Sequence, residues 1–145
     1  LVLLHDDTDD VLQNTFIKIY RNIDKFRGDS ALFTWMFRIA TNESLSLLKT
    51  RAKKMNQSLE DVQEERVRNL KSDPYFDGDE LELSLQEAIV RLPEKQQMVF
   101  RMKYFQEMKY EEMSQILGTS VGALKASYHH AKKKIESRIL NRAEG

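Results

Sequence analysis

The chain contains no cysteine, which excludes a disulfide framework, a thiolate metal site and a thiol nucleophile, and leaves nothing for thiol redox chemistry. It has no apolar run approaching the ~20 residues that cross a bilayer. Its opening, Leu1-Val2-Leu3-Leu4, is too short and uncharged for a secretory signal. A protein without membrane insertion, working in the cytoplasm, is therefore expected. Strand-like alternation of useful length and tandem repeats are missing too, so the fold class expected is all-α. An initiator methionine is also missing, and the abrupt apolar start implies that Leu1 lies inside a helix, with the N-terminal part of the first domain absent. The 145 residues, 41% hydrophobic, suffice for one medium domain or two small ones with folded cores.

Net charge is absent as well, with 23 basic against 23 acidic residues. At first sight this opposes nucleic-acid binding, which rests on Lys and Arg displacing phosphate counterions. The distribution reverses that impression. Arg38, Lys49, Arg51, Lys53 and Lys54 form one basic segment and Lys125, Lys132, Lys133, Lys134, Arg138 and Arg142 another. Glu60, Asp61, Glu64, Glu65, Asp73, Asp77, Asp79, Glu80, Glu82 and Glu87 lie between them. The order is basic, acidic, basic.

Helical periodicity organises most of the chain. Leu12, Phe16, Ile19, Ile23 and Phe26 recur at spacings of three and four and predict the core face of a helix. Arg27-Gly28-Asp29-Ser30 breaks the pattern, with Asp29 or Ser30 available to cap a second helix from about Ala31. That helix carries Leu32, Trp35, Met36, Ile39 and Leu47 inward and forms an antiparallel pair with the first. From Met55 to Asp79 apolar spacing is poor, and Ser72-Asp73-Pro74 and Asp77-Gly78-Asp79 read as a linker. The expected domains are 1–54, with its beginning missing, and 80–145, joined by a linker over 55–79. In the second, Leu81, Leu85, Ala88, Ile89 and Leu92 face inward, and Pro93 suits the first turn of a helix running to about Phe105.

Lys109 to Ile139 is the most informative stretch. A short helix, Tyr110 to Leu117, turns Met113, Ile116 and Leu117 inward and stops at Gly118, the residue type that best adopts a left-handed C-terminus. Thr119-Ser120 can cap a new helix, whose inward positions are Val121, Leu124, Tyr128, Ala131, Ile135 and Ile139. Two helices across a glycine turn form a helix-turn-helix, whose second helix enters the major groove. Its outer face presents Lys125, His129, Lys132 and Lys133, flanked by Ala126 and His130. A solvated bundle with a basic outer face would share this pattern. His129 and His130 point about 100° apart on a helix and lack a third ligand, so no metal is assigned. Phe33, Trp35 and Phe37 could stack on unpaired bases, although Trp35 at helical spacing is better read as core.

Two stretches carry a family resemblance. Asp9-Asp10-Val11-Leu12-Gln13-Asn14-Thr15-Phe16-Ile17-Lys18-Ile19-Tyr20, with Phe26-Arg27-Gly28-Asp29-Ser30-Ala31-Leu32-Phe33-Thr34-Trp35-Met36-Phe37-Arg38-Ile39-Ala40-Thr41-Asn42, closely resembles region 2 of extracytoplasmic-function sigma factors. Leu92-Pro93-Glu94-Lys95-Gln96-Gln97 and the helix-turn-helix after it resemble region 4, in the same order and at a similar separation. The resemblance implies an all-α fold of two small domains, a region 2-like bundle and a region 4-like helix-turn-helix.

It implies, position by position, that Asp10, Gln13, Asn14 and Phe16 contact the polymerase clamp. Many relatives carry Glu where this chain has Asn14. The turn Arg27, Gly28, Asp29, Ser30 and Ala31, with Asn22, Phe26, Ile39 and Asn42, would capture a base flipped from the minus-10 element. Unstacking costs a few kcal/mol, to be offset by the apolar wall and the Asn42 amide. Lys49, Arg51, Lys53 and Lys54 would follow the backbone. Lys125, Ala126, His129 and His130 would read the minus-35 element, with Lys132 and Lys133 on phosphates. Relatives often carry Arg at these positions, and without the Arg-to-guanine fork the preferred bases stay open.

The implied partners are core RNA polymerase, promoter DNA and an anti-sigma factor, with no cofactor and no catalysis by this chain. Two other readings remain. A stand-alone helix-turn-helix regulator would bind duplex DNA without polymerase, and a protein-interaction module would need neither basic face.

Overall fold

The computed structural model describes residues 5–28, 31–56, 58–74 and 76–144. The expected loop residues Asp29 and Ser30 lie outside them. Seven α-helices and one short 3-10 turn account for the regular structure among the described residues, and no strand occurs there.

The first layer is a helical pair. Helix α1 (His5–Asn22) continues through a 3-10 turn, Ile23–Lys25, to Gly28 at φ +76°, and α2 (Leu32–Met55) returns alongside it. Ion pairs Arg51–Asp7 and Lys18–Glu43 and the tilted Phe26–Trp35 ring contact at 5.3 Å fix the direction. As one number rises the other falls, so the helices run antiparallel as expected. Ala31 occupies the N-cap of α2 without a side-chain cap bond.

The inner face of α1 is not the expected one. Leu12, Phe16 and Ile23 are exposed at 47%, 62% and 47%, whereas Val11 and Thr15 are buried and Ile19, Asn22 and Phe26 half-buried. A polar inner face is tolerated because the helix satisfies it. The Thr15 hydroxyl donates to the Val11 carbonyl at 2.6 Å and the Asn22 amide to the Lys18 carbonyl at 2.8 Å, so neither side chain is left without a partner. Leu32 and Leu81, also expected inside, are 45% and 67% exposed.

The segment read as a linker holds a further helix, α3 (Leu59–Lys71). A capping box starts it: the Asp61 amide donates to Ser58 Oγ at 3.1 Å and the Ser58 amide to Asp61 Oδ2 at 3.4 Å. Its buried Val67 and Leu70 pack with Val90 of α4 (Glu80–Val90), which docks α3 on the second layer.

That second layer is α4, α5 (Glu94–Tyr104), α6 (Tyr110–Leu117) and α7 (Val121–Glu144). Pro93 stands at the N-cap of α5, one position before the expected first turn. Two adjoining clusters form the core. One joins Ala88, Ile89, Leu92, Phe100, Ala131 and Ile135. The other joins Val99, Met102, Met108, Met113, Ile116 and Leu124. Gln97 is buried among them, with its amide donating to the Ile89 carbonyl at 3.0 Å, an oxygen that also accepts the Leu92 backbone amide at 3.0 Å.

Glu87 ties α4 to α3 and α7. Its carboxylate meets Arg142 at 2.9 Å, Arg91 at 3.4 Å and Lys71 at 3.8 Å, and Arg91 also reaches Glu64 at 2.5 Å. Burial alone would raise the Glu87 pKa, but Arg142, Lys71 and Arg91 together hold it below the usual glutamate value. A carboxyl depressed in the folded state contributes stability above its unfolded pKa and loses it as pH falls through the folded one. Thermal midpoints of the native chain should therefore drop between roughly pH 5 and 3. Glu87→Gln should start lower at neutral pH and fall less steeply; parallel curves would remove Glu87 as an acid-sensitive element.

Candidate nucleic-acid interface

The helix-turn-helix is built by local chemistry. Gly118 takes φ +64° at the end of α6 and its amide donates to the Ser114 carbonyl at 2.9 Å; any residue with a Cβ is strained in that conformation. Ser120 Oγ then accepts the Ala123 amide at 3.2 Å and opens α7. Leu124, Ala131 and Ile135 are buried beneath α7. This fixes the rotation of the helix, and Lys125, Ala126, His129, His130, Lys132 and Lys133 all face solvent.

Small residues sit beside the cations. Gly122, Ala123 and Ala126 are exposed on the leading turns, and nothing lies within 4 Å of a Cβ built on Gly122, so a groove wall can approach the backbone closely. Lys132 Nζ lies 4.8 Å from the Tyr128 ring centroid, holding its stem against the helix. Sequence reasoning missed two neighbours of Lys125, namely Lys103 of α5 and the Tyr110 ring of α6: Lys103 Nζ stands 4.4 Å over that ring, and Lys125 Nζ lies 5.7 Å from it. The face therefore draws one cation from α5 and an aromatic platform from α6. The lone signal was a lysine in the last turn of α5, too common to single out. Among the described residues no cluster of three or more His, Asp or Glu is placed to hold a metal ion.

The residues expected around a flipped base divide into two places. At the turn end of the pair, Asn22 and Phe26 are half-buried and Arg27, Gly28 and Ala31 exposed, with Phe26 against Trp35. The Asn22 amide is already engaged by its own helix. Farther along α2, past half-buried Ile39, Asn42 and Lys49 border a cleft of about 410 Å³. Its opposite wall is Glu94, Lys95 and Met98 of α5 with Ile116, Leu117 and Thr119 of the helix-turn-helix. Lys53 and Lys54 are exposed, whereas Arg51 is held by Asp7 of α1. Its guanidinium is thus committed to an internal carboxylate.

On α1, Asp10, Gln13, Asn14 and Phe16 are exposed. Leu12, Ile17, Tyr20 and Ile23 join Phe16 as large exposed apolar side chains, Tyr20 at 84%. So many large apolar side chains in the open on α1 and the 3-10 turn after it form an exposed patch of the kind found at contact faces. Among the described residues no helix is long and apolar enough to cross a membrane.

Comparison with known proteins agrees with this layout. The Sigma-70 region 2 family profile matches residues 4–54 and the Sigma-70, region 4 profile matches residues 82–135. The chain is 31% identical over 144 residues to the ECF RNA polymerase sigma-E factor of Haemophilus influenzae, covering 92% of this chain and 75% of the relative. To its Escherichia coli K12 counterpart it is 30% identical over 143 residues, covering 92% and 74%. The sigma factor RpoE of Bartonella quintana, solved with the anti-sigma factor NepR, superposes with a TM-score of 0.71 at 22% identity, covering 95% of this chain and 84% of that one. CnrH, solved with the cytosolic domain of CnrY, superposes at 0.66 and 22% identity, covering 98% and 75%.

Proposed function

The chain belongs to the extracytoplasmic-function sigma factors of the sigma-70 superfamily, and from that premise we propose which of its residues carry each step of promoter recognition. As a sigma factor it directs bacterial RNA polymerase to promoters. Residues 1–54 form the minus-10 and polymerase-binding domain, 55–79 the connection and 80–145 the minus-35 domain.

The observation that carries the reading is the α7 face. Leu124, Ala131 and Ile135 are buried while Lys125, Ala126, His129, His130, Lys132 and Lys133 are all exposed, so one rotation both completes the core and presents the groove-facing set. Lys125, Ala126, His129 and His130 read minus-35 base edges, and Lys132 and Lys133 meet phosphates. In the opened duplex, Phe26 and Asn22 with the turn Arg27, Gly28, Asp29, Ser30 and Ala31 hold the flipped minus-10 base at the turn end of the pair, and Ile39 and Asn42, farther along α2, contact the same opened strand. Lys49, Lys53 and Lys54 follow the strand, and Arg51 joins them once it leaves Asp7. Asp10, Gln13, Asn14 and Phe16 dock α1 on the polymerase clamp, and the apolar neighbours Leu12 and Tyr20 extend that contact. The chain contributes binding and no catalysis, acts in the cytoplasm, and is restrained by an anti-sigma partner, as the Bartonella quintana neighbour is bound by its anti-sigma factor NepR.

The test is run-off transcription from genomic fragments by core polymerase with and without the chain. Initiation from a defined subset of fragments only when the chain is present is expected. Tight duplex binding with no polymerase-dependent initiation would instead favour the stand-alone helix-turn-helix regulator.

A further inference from the structure

Arg138 and Arg142 belong to the second basic segment of the sequence, yet neither lies on the DNA-facing side of α7. Both turn toward α4. Arg138 Nη1 donates to the main-chain carbonyl of Ala88 at 3.1 Å, and Arg142 Nη1 meets Glu87 Oε2 at 2.9 Å. With Arg91, the C-cap residue of α4, they line an open cleft of about 270 Å³ whose remaining wall includes Ser84, Glu87 and Ile139. At about 30 Å³ per water molecule in the liquid, the cleft has room for a small anion and not for a drug-sized ligand.

Charge in the cleft does not balance. Three of the residues lining it are arginines, and its one acid, Glu87, is already shared among Arg142, Arg91 and Lys71. Glu64, the next carboxylate, is held by Arg91 at 2.5 Å. Among the described residues Arg138 has no carboxylate partner, and its hydrogen bond goes to a neutral carbonyl. Partial burial lowers the Arg138 pKa, and the positive charge of Arg91 lowers it further. Like charges gathered in this way repel, and an anion placed between them removes the repulsion.

We propose that the cleft between α4 and α7 binds a small phosphate-bearing anion, with Arg91, Arg138 and Arg142 as the donors. The site goes beyond promoter recognition and does not depend on the residues assigned to it. Guanidinium groups arriving from two helices can each address a different oxygen of a tetrahedral phosphoryl group, whereas a carboxylate offers two oxygens in one plane. A guanidinium carries five N–H donors. Arg138 and Arg142 each have one engaged among the described residues, so both keep donors for an incoming oxygen. Glu87 holds Arg91 and Arg142 in place beforehand, which lowers the ordering cost of binding. Duplex DNA and the anion do not compete for space. At about 100° per residue, Arg138 lies about 140° round α7 from Lys133 and Arg142 about 180° round, so the anion sits on the side of the helix turned away from the groove.

The test is titration calorimetry of the full chain with pyrophosphate, in a low-salt buffer free of phosphate and near neutral pH, with sulfate at matched ionic strength beside it. Saturable binding of pyrophosphate is expected, tighter than that of sulfate. Arg138→Gln should weaken it about tenfold or more, the change that loss of one charge-assisted hydrogen bond brings. Ser84→Asp sets a carboxylate on the cleft wall and keeps all three arginines. It should weaken pyrophosphate binding as well, and it serves where Arg138→Gln disturbs folding. Duplex affinity should stay as it is in both variants, and Lys132→Ala with Lys133→Ala should leave pyrophosphate binding intact. Absence of saturable binding overturns the site, as does binding that survives both cleft variants and is lost with Lys132 and Lys133, which would place the anion on the duplex face. A response to sulfate equal to that of pyrophosphate and unaltered by Arg138→Gln is a general salt effect and overturns it too. If pyrophosphate does not bind while Arg138→Gln weakens assembly with core polymerase, the cleft takes a protein carboxylate and the small-anion assignment falls.

Discussion

Leu124→Ala is expected to destabilise the minus-35 domain by about 3 kcal/mol, lowering its thermal midpoint by roughly 10–20 °C. Leu124 is fully buried, in one cluster with Val99, Met102, Met108, Met113 and Ile116. Truncation to Ala removes transfer free energy and leaves a cavity whose cost depends on how far the walls collapse. Three of those walls are methionines, flexible enough to fill part of the void, which sets the expectation in the middle of the range and not at its top. The functional consequence follows from position. Leu124 precedes Lys125 and Ala126 and locks the rotation that turns them outward, so duplex affinity should fall well below the midpoint of unfolding. Lys125→Ala supplies the control, since an exposed residue at that place should change binding with little change in midpoint. An unaltered midpoint for Leu124→Ala, followed by circular dichroism, would mean that α7 does not pack by this face.

The part of the fold that follows from short-range chemistry was legible in the sequence. Gly118 stops α6 and Ser120 starts α7 within three residues, and α7 buries one stripe, so period and burial coincide. Helix α1 misled for a physical reason. It has two apolar sides, and the more apolar one, Leu12, Phe16 and Ile23, is turned to solvent. The inner side includes Thr15 and Asn22, whose polar atoms are satisfied by carbonyls of the same helix. Hydrophobicity alone ranks the two sides the wrong way when the polar groups of the inner one are satisfied within the helix.

Helix α3 was hidden by sparseness, because its docking rests on Val67 and Leu70 among long polar side chains. The exposed face of α7 was legible because it lies on a single helix. Pairing across the fold was not: Arg51 with Asp7 spans 44 positions and Arg38 with Gln115 spans 77, and no local pattern signals either. Both arginines sit in the stretch read as a DNA-binding surface, so a basic segment was correctly seen while the present engagement of its members was not.

Removing Lys132 and Lys133 together should weaken holoenzyme binding to promoter and unrelated duplex alike, by about tenfold or more at low salt, and flatten the salt dependence. Each phosphate contact contributes a slope of about −0.9 in log affinity against log salt, so the double Ala variant should lose close to 1.8 of that slope. The reasoning distinguishes these lysines from their neighbours. Lys125 and His129 lie one and two turns into α7, beside the small residues Gly122 and Ala126, where the backbone can approach base edges. Lys132 and Lys133 lie a further turn along, exposed, with Lys132 held over the Tyr128 ring at 4.8 Å. A lysine held there acts as a fixed charge for a passing phosphate and carries little sequence information. Lys125→Ala or His129→Ala should behave differently, costing about 1–3 kcal/mol at the contacted base pair and relaxing discrimination there. Binding titrations at four salt concentrations separate the two classes. If the Lys132, Lys133 variant loses affinity for the promoter alone and keeps its slope, those side chains read bases, and the register of α7 in the groove is shifted by a turn toward its C-terminus.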